Sequence, residues 1–167
     1  MLVNGTVPIT DLSLATAVLR AGEDRFAFDV PAGWEQGRGA FGGVVVGAMA
    51  RAAIASEPDA QRTLRAVSAE ILSPVVAGPA EVTVEVLKRG SGVSALDVRI
   101  RQDGEVRARG TFTLARTRIT DRDLAPRDPP TMRPFESVAR APIAPPLGPA
   151  FAQHLDLRPT GAPPFSG

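Results

Sequence analysis

Residues 44–55 read Val-Val-Val-Gly-Ala-Met-Ala-Arg-Ala-Ala-Ile-Ala, apolar on every face of a helix except at Arg51. A surface helix carries a polar stripe, so a helix without one must be enclosed by other elements. Gly47 and the many alanines keep its side chains small, which lets another element come close to its backbone. Pro58 limits it at its C-terminal end. The apolar run begins at Ala40 and is stopped by Arg51. It is therefore shorter than the roughly 18 residues a membrane span requires, and it predicts a buried helix. The remaining question is what encloses it.

Strands are the answer the rest of the chain offers. Phe26, Phe28 and Val30 alternate with Arg25, Ala27 and Asp29, the period of a half-buried strand, and Pro31 closes it. After residue 62 alternation persists for about fifty residues. Val82, Val84 and Val86 alternate with Glu81, Thr83 and Glu85; Leu96, Val98 and Ile100 with Asp97, Arg99 and Arg101; Val106, Ala108, Phe112 and Leu114 with Arg107, Arg109, Thr111 and Thr113. Each strand thus has one wet face. Turn chemistry separates them at Ser73-Pro74 through Gly78-Pro79, at Gly90-Ser91-Gly92 and at Asp103-Gly104. Residues 63–116 read as a four-stranded antiparallel meander. Ahead of this core, residues 11–20 predict a short helix capped by Thr10 or Asp11, with Leu12, Ala15 and Leu19 on one face and Gly22 at its end. A strand, a wholly apolar helix and a meander have few economical solutions, and an α+β domain whose sheet curls around the helix is the simplest.

The pattern holds for residues 1–118. Residues 119–167 form an extension dense in proline from Pro126 to Pro149, which can neither continue a helix nor donate along a sheet, and which reads as a linker or a surface-hugging arm. The N-terminus has no basic segment followed by an apolar one, and the chain has no cysteine, so the expectation is a cytoplasmic protein without disulfides, thiolate nucleophiles or cysteine-bound metal. A net charge of +1, no tyrosine and one tryptophan leave no footprint for nucleic acid. Gly37-Arg38-Gly39 lacks the context of a nucleotide-binding loop. No cofactor or metal is expected.

Several segments together resemble one family. Trp34 with Gly37-Arg38-Gly39-Ala40-Phe41-Gly42-Gly43, then Ile71-Leu72-Ser73-Pro74-Val75 with Gly78-Pro79, then residues 84–90 and Gln102-Asp103-Gly104-Glu105, look like the N-terminal half of acyl-CoA thioesterase II-like double-hotdog proteins. The likeness covers roughly residues 10–118. It implies a hotdog fold, an acyl-CoA thioester as ligand, and pairing of one hotdog with another, either as a homodimer or with a second hotdog domain. Residues 151–158 resemble the start of the family's second hotdog. The family's catalytic acidic, threonine and glutamine positions belong to that second half, so the resemblance assigns no catalytic residue to this chain.

The candidate site residues are Phe41, Gly42, Gly43, Ser68 and Arg89. Gly42 and Gly43 stand where the apolar helix begins, where N–H groups lack partners at the positive end of the helix dipole and would polarise a thioester carbonyl. The rival reading of the glycines is a tight loop-to-helix turn. Trp34 and Phe41 are expected to pack over the helix start. Ser68 and Glu70 share a strand face that either lines a tunnel or meets water. Lys88 and Arg89, at a turn, either meet coenzyme A phosphates or are simply solvated. Residues 44–55 contain no Asp, Glu, His, Ser or Thr, and Glu57 stands at the far end, too distant to serve a carbonyl at Gly43. His154, the sole histidine, lacks the neighbours that metal or triad chemistry requires. Three readings follow: an acyl-CoA thioesterase-like protein, a non-catalytic acyl-CoA binding module, and a structural half awaiting a separate catalytic hotdog.

Overall fold

The computed structural model describes residues 11–119, 128 and 131–161. In chain order the elements are α1 (Leu12–Ala15), β1 (Leu19–Arg20), β2 (Arg25–Val30), β3 (Glu35–Gln36), β4 (Gly39–Ala40), α2 (Gly42–Ala55), β5 (Arg62–Ile71), β6 (Gly78–Arg89), β7 (Val93–Gln102) and β8 (Glu105–Arg116). Short 3-10 turns follow at Phe135–Ser137 and Ala150–His154. The large sheet is antiparallel throughout, with strand order β1-β2-β6-β7-β8-β5, and β3 and β4 form a separate hairpin.

The alternation read from the sequence holds for β2, β7, β8 and the first half of β6, whereas Val86 is 37% exposed and β5 is exposed on both faces beyond Leu64. Phe26, Phe28 and Val30 of β2, Val82 and Val84 of β6, Leu96, Val98 and Ile100 of β7, and Phe112 and Leu114 of β8 are all buried. They form one core with Val44, Val45, Ala48, Met49, Ala52 and Ala53 of α2. Each large apolar side chain in it contributes about 1.5–3 kcal/mol through burial. The β7–β8 turn has φ of 52° at Asp103 and 81° at Gly104, the left-handed pair that a two-residue hairpin demands.

Three expectations are corrected. The first helix ends at Ala15, and Leu19 belongs to β1, paired with Ala27. Asp11 does cap α1, its Oδ1 accepting from the Ser13 N–H at 2.7 Å, whereas Thr10 lies outside the described residues. Four residues, not ten, are helical because Leu12 and Leu14 stay exposed and only Ala15 is buried, so packing rewards no further turn.

Next, residues 63–116 are not a simple meander. β6, β7 and β8 are, but β5 pairs with β8 at the sheet edge, and residues 72–77 cross back to start β6 beside β2. Gln102 holds that crossing: its Oε1 accepts from the Val76 N–H at 2.9 Å, and its Nε2 donates to the carbonyls of Val76 at 2.8 Å and Pro79 at 3.3 Å.

Finally, α2 is buried on one side only. Arg51 and Ile54 are exposed, and on the outward side Gly47 and Arg51 meet Ser13 of α1 and Thr16, the residue that follows it. There Gly47 earns its place, since a Cβ at this position would sit 2.7 Å from the Thr16 methyl. Arg51 ties the two helices together, donating to Thr16 Oγ1 at 2.8 Å and to Ser13 Oγ at 3.0 Å.

Candidate functional site

The loop between β2 and α2 sets the geometry of the helix start. Its two ends are fastened by backbone bonds, from the Phe41 N–H to the Trp34 carbonyl at 2.7 Å and from the Ala40 N–H to the Val75 carbonyl at 2.7 Å. Phe41 is the N-cap of α2, and its carbonyl accepts from the N–H groups of Val44 at 2.9 Å and Val45 at 3.2 Å. The N–H groups of Gly42 and Gly43 have no acceptor among the described residues. No side chain caps them and no acidic residue stands in the first turn. Two orphan donors thus lie at the positive end of a 14-residue helix.

Gly42 opens on a groove of about 370 Å³ lined by Gln36, Arg38, Ile71, Ser73 and Pro74. The Ile71 side chain approaches within 3.4 Å of where a Gly42 Cβ would stand. Gly43 is a glycine for a different reason: its Cβ would fall 2.3 Å from Cε1 of Phe41. The ring of Phe41, not a ligand, occupies that space. The sequence left a ligand approach and a tight turn open as reasons for the paired glycines; at Gly43 the turn is what the packing requires.

The candidate residues fall into three places. Phe41, Gly42 and Gly43 come together at the helix start. Ser68 pairs with Thr111 and Glu70 with Arg109 on the face of β5 turned away from α2, and Glu70 forms an exposed ion pair with Arg109 at 3.0 Å. Arg89 lies at the opposite end of α2, about 20 Å from Gly42 by helix rise. Its guanidinium meets Glu57 Oε2 at 3.6 Å and the Ser56 carbonyl at 3.2 Å.

That far end holds a charge cluster that sequence reasoning missed. The side chains of Glu57 and Arg62 are only 2% and 7% exposed and lie 3.5 Å apart. Arg62 also binds Asp59 at 3.2 Å, the hydroxyl of Ser94, and the carbonyls of Gly90 at 2.6 Å and Ser91 at 3.3 Å. Burial alone would push the Glu57 carboxyl upward. The Ser94 hydroxyl, the Asp59 N–H and the guanidinium groups of Arg62 and Arg89 outweigh it and hold Glu57 below the usual carboxylate range. A single acidic residue just past an apolar helix carries no signal of burial, because its partners come from β5, β6 and β7.

The tail was also underread. Residues 150–154 dock on the loop before α2. His154 stacks on Trp34 with ring centroids 4.2 Å apart and planes 4° apart, and Phe151 stacks on Phe41 at 4.1 Å and 2°. Trp34 is fully buried, as the expected packing over the helix start requires. No cluster of His, Cys, Asp or Glu that could hold a metal occurs among the described residues. Among them no helix is long and apolar enough to cross a membrane.

With this geometry in place, comparison with known proteins decides the family. Residues 30–115, just over half of the chain, match the family model of the acyl-CoA thioesterase N-terminal domain. The chain belongs to that family. Solved structures agree on the hotdog fold. A protein described as a thioesterase II of Thermobifida fusca YX is 27% identical with a TM-score of 0.69, the match covering 78% of this chain and 48% of that one. A conserved hotdog-fold protein of unknown function from Alicyclobacillus acidocaldarius is 22% identical with a TM-score of 0.74, covering 85% of this chain and 52% of that one. An acyl-CoA thioesterase II of Mycobacterium marinum is 16% identical with a TM-score of 0.65, covering 78% and 48%. The thioesterase-family chain therefore spans about half the length of these structures. A search of curated proteins finds no match.

Proposed function

We propose that this chain binds an acyl-CoA thioester at the start of α2 and serves as one half of a thioesterase built from paired hotdogs. The observation that carries the reading is the pair of free N–H groups at Gly42 and Gly43, the first of them opening on the groove walled by Ile71, Ser73 and Pro74. Both N–H groups would donate to a thioester carbonyl oxygen and stabilise the charge that grows on it when water attacks the carbon. The carbon–sulfur bond then breaks, the acyl group leaves as a carboxylic acid and the sulfur takes the remaining proton as coenzyme A thiol. No carboxylate or histidine lines that groove, so the group that orients the water comes from a second hotdog. Arg38 is the cation that lines the groove, and we assign to it the phosphate-meeting role first considered for Arg89.

The open edge of the sheet supports the pairing. From Arg65 to Ile71 every residue of β5 is exposed, and the apolar Val67 and Ile71 are 41% and 48% exposed on the face that meets α2. A long edge strand with apolar residues invites another strand. We take the partner to be a second copy of this chain, or a second hotdog domain of the kind that completes the longer relatives. A family of this kind and the absence of a membrane-crossing helix among the described residues favour action in the cytoplasm.

The test is direct. The purified chain is titrated with a medium-chain acyl-CoA by calorimetry and assayed for thiol release. Binding with turnover supports a self-sufficient dimer, and binding without turnover supports the half-enzyme reading. No binding at all overturns the site assigned here.

A further inference from the structure

We propose that the segment Ala150–His154 is a positioning element of the N–H site at Gly42 and Gly43, an inference that rests on reading those groups as the thioester site. The segment grips both ends of the loop that presents the donors. At the first end, His154 stacks on Trp34, His154 Nε2 lies 2.9 Å from the Gly33 carbonyl, and Gln153 Nε2 donates to the same carbonyl at 3.2 Å. At the other, Phe151 stacks on Phe41, the residue that caps α2.

The consequence for the donors is geometric. Phe41 has no covalent reason to keep its ring against Gly43; the ring is clamped between the bare Cα of Gly43 and the ring of Phe151. Its carbonyl, which caps Val44 and Val45, is fixed with it. Gly33 has φ of 85°, so the chain reverses sharply just before Trp34, and the carbonyl at that reversal is held by two tail side chains. With the tail in place, the Trp34 carbonyl is aimed at the Phe41 N–H, and the next two N–H groups, those of Gly42 and Gly43, are left free. Without it, the loop keeps its β3–β4 pairing and the backbone bonds of Ala40 and Phe41, and loses both aromatic stacks and the two contacts to the Gly33 carbonyl. Phe151, Gln153 and His154 act through Trp34 and Phe41 and touch no reacting atom.

The chain carries its own reporter, since Trp34 is the sole tryptophan. Acrylamide quenching of Trp34 fluorescence reads whether the tail is seated. Calorimetry with the non-hydrolysable thioether analogue of a medium-chain acyl-CoA reads whether the site is formed. In the full chain, Phe151→Ala and His154→Ala are expected to raise quenching and to weaken analogue binding about two- to tenfold each, the worth of one aromatic stack. Phe151→Tyr keeps its stack and is expected to bind like the wild type, and His154→Phe, which keeps its stack but gives up the contact to the Gly33 carbonyl, is expected to fall between the wild type and His154→Ala. Phe151→Leu, which keeps the apolar volume and gives up the ring plane, carries the test should an alanine variant not fold. Exposure of Trp34 with unchanged affinity overturns the positioning role and leaves the thioester site standing. A wild-type chain that binds no analogue overturns the site itself, and the proposal with it.

Discussion

Replacing Arg62 by leucine probes the charge cluster at the far end of α2. The wild-type guanidinium meets Glu57, Asp59, Ser94 and two carbonyls from a nearly solvent-free position. Leucine fills much of the volume but leaves the Glu57 carboxylate buried, with only Arg89 at 3.6 Å to offset its charge. Breaking a buried pair on one side costs about 3–5 kcal/mol. For a chain of this size, each kcal/mol lowers the melting temperature by about 2–4 °C, so the expected drop is about 6–20 °C. Thermal unfolding followed by circular dichroism measures it.

The pH dependence supplies a sign. In the wild type Glu57 is held below its ordinary value, so its contribution is present above the ordinary carboxylate range and is lost as pH falls through the lowered value. In Arg62→Leu the lowering by that guanidinium is gone while the Ser94 hydroxyl, the Asp59 N–H and Arg89 remain, so Glu57 moves up toward its ordinary value. The variant then loses less stability on acidification than the wild type does. Glu57→Gln on the Arg62→Leu background removes the stranded charge and recovers part of the loss. A single variant within about 1 kcal/mol of wild type, with an unchanged acid limb, would refute the assignment of a buried, mutually dependent pair.

Other predictions follow the same logic. Gln102→Ala removes two bonds to Val76 in the crossing and one to Pro79 at the start of β6, leaving the Val76 N–H and carbonyl without those partners, at a cost of about 1–3 kcal/mol in a urea titration. Gly43→Ala drives a Cβ into the Phe41 ring, so the Phe41–Phe151 stack opens and about 0.5–1.5 kcal/mol is lost, read as a lower melting temperature and a rise in Trp34 quenching. Val67→Lys combined with Ile71→Lys places two charges on the open apolar edge, and light scattering should show the mass falling from two chains to one.

Much of the fold was legible because burial of a strand face writes itself locally. The buried members of β2, β7 and β8 stand two apart in the sequence, and the apolar run of α2 predicted a helix against the sheet, although only one side of it is buried. The crossing from β5 to β6 was not legible, since adjacent strands joined by a short loop usually pair. Here β6 pairs with β2 and β7 and β5 pairs with β8, and the crossing between them is held by Gln102, a residue thirty-odd positions along the chain from β5. The helix start announced itself through Gly42 and Gly43, but the reason for Gly43 needed the Phe41 ring. Leu19 matched a helical spacing by coincidence and is a strand residue instead. Trp34 and His154 are each unique in the chain, yet no local pattern tells that two singular rings far apart in sequence stack on one another.

The claim at the centre of this account is that the free N–H groups of Gly42 and Gly43 receive a thioester carbonyl. Amide nuclear magnetic resonance of the isotopically labelled chain, titrated with the thioether analogue of a medium-chain acyl-CoA, addresses those two protons individually. The expected result is a saturating downfield shift of the Gly42 and Gly43 amides, accompanied by Ile71 and Arg38 and not by Gly90 or Gly92. Shifts gathered around Lys88 through Gly92, with Gly42 and Gly43 unmoved, would contradict it.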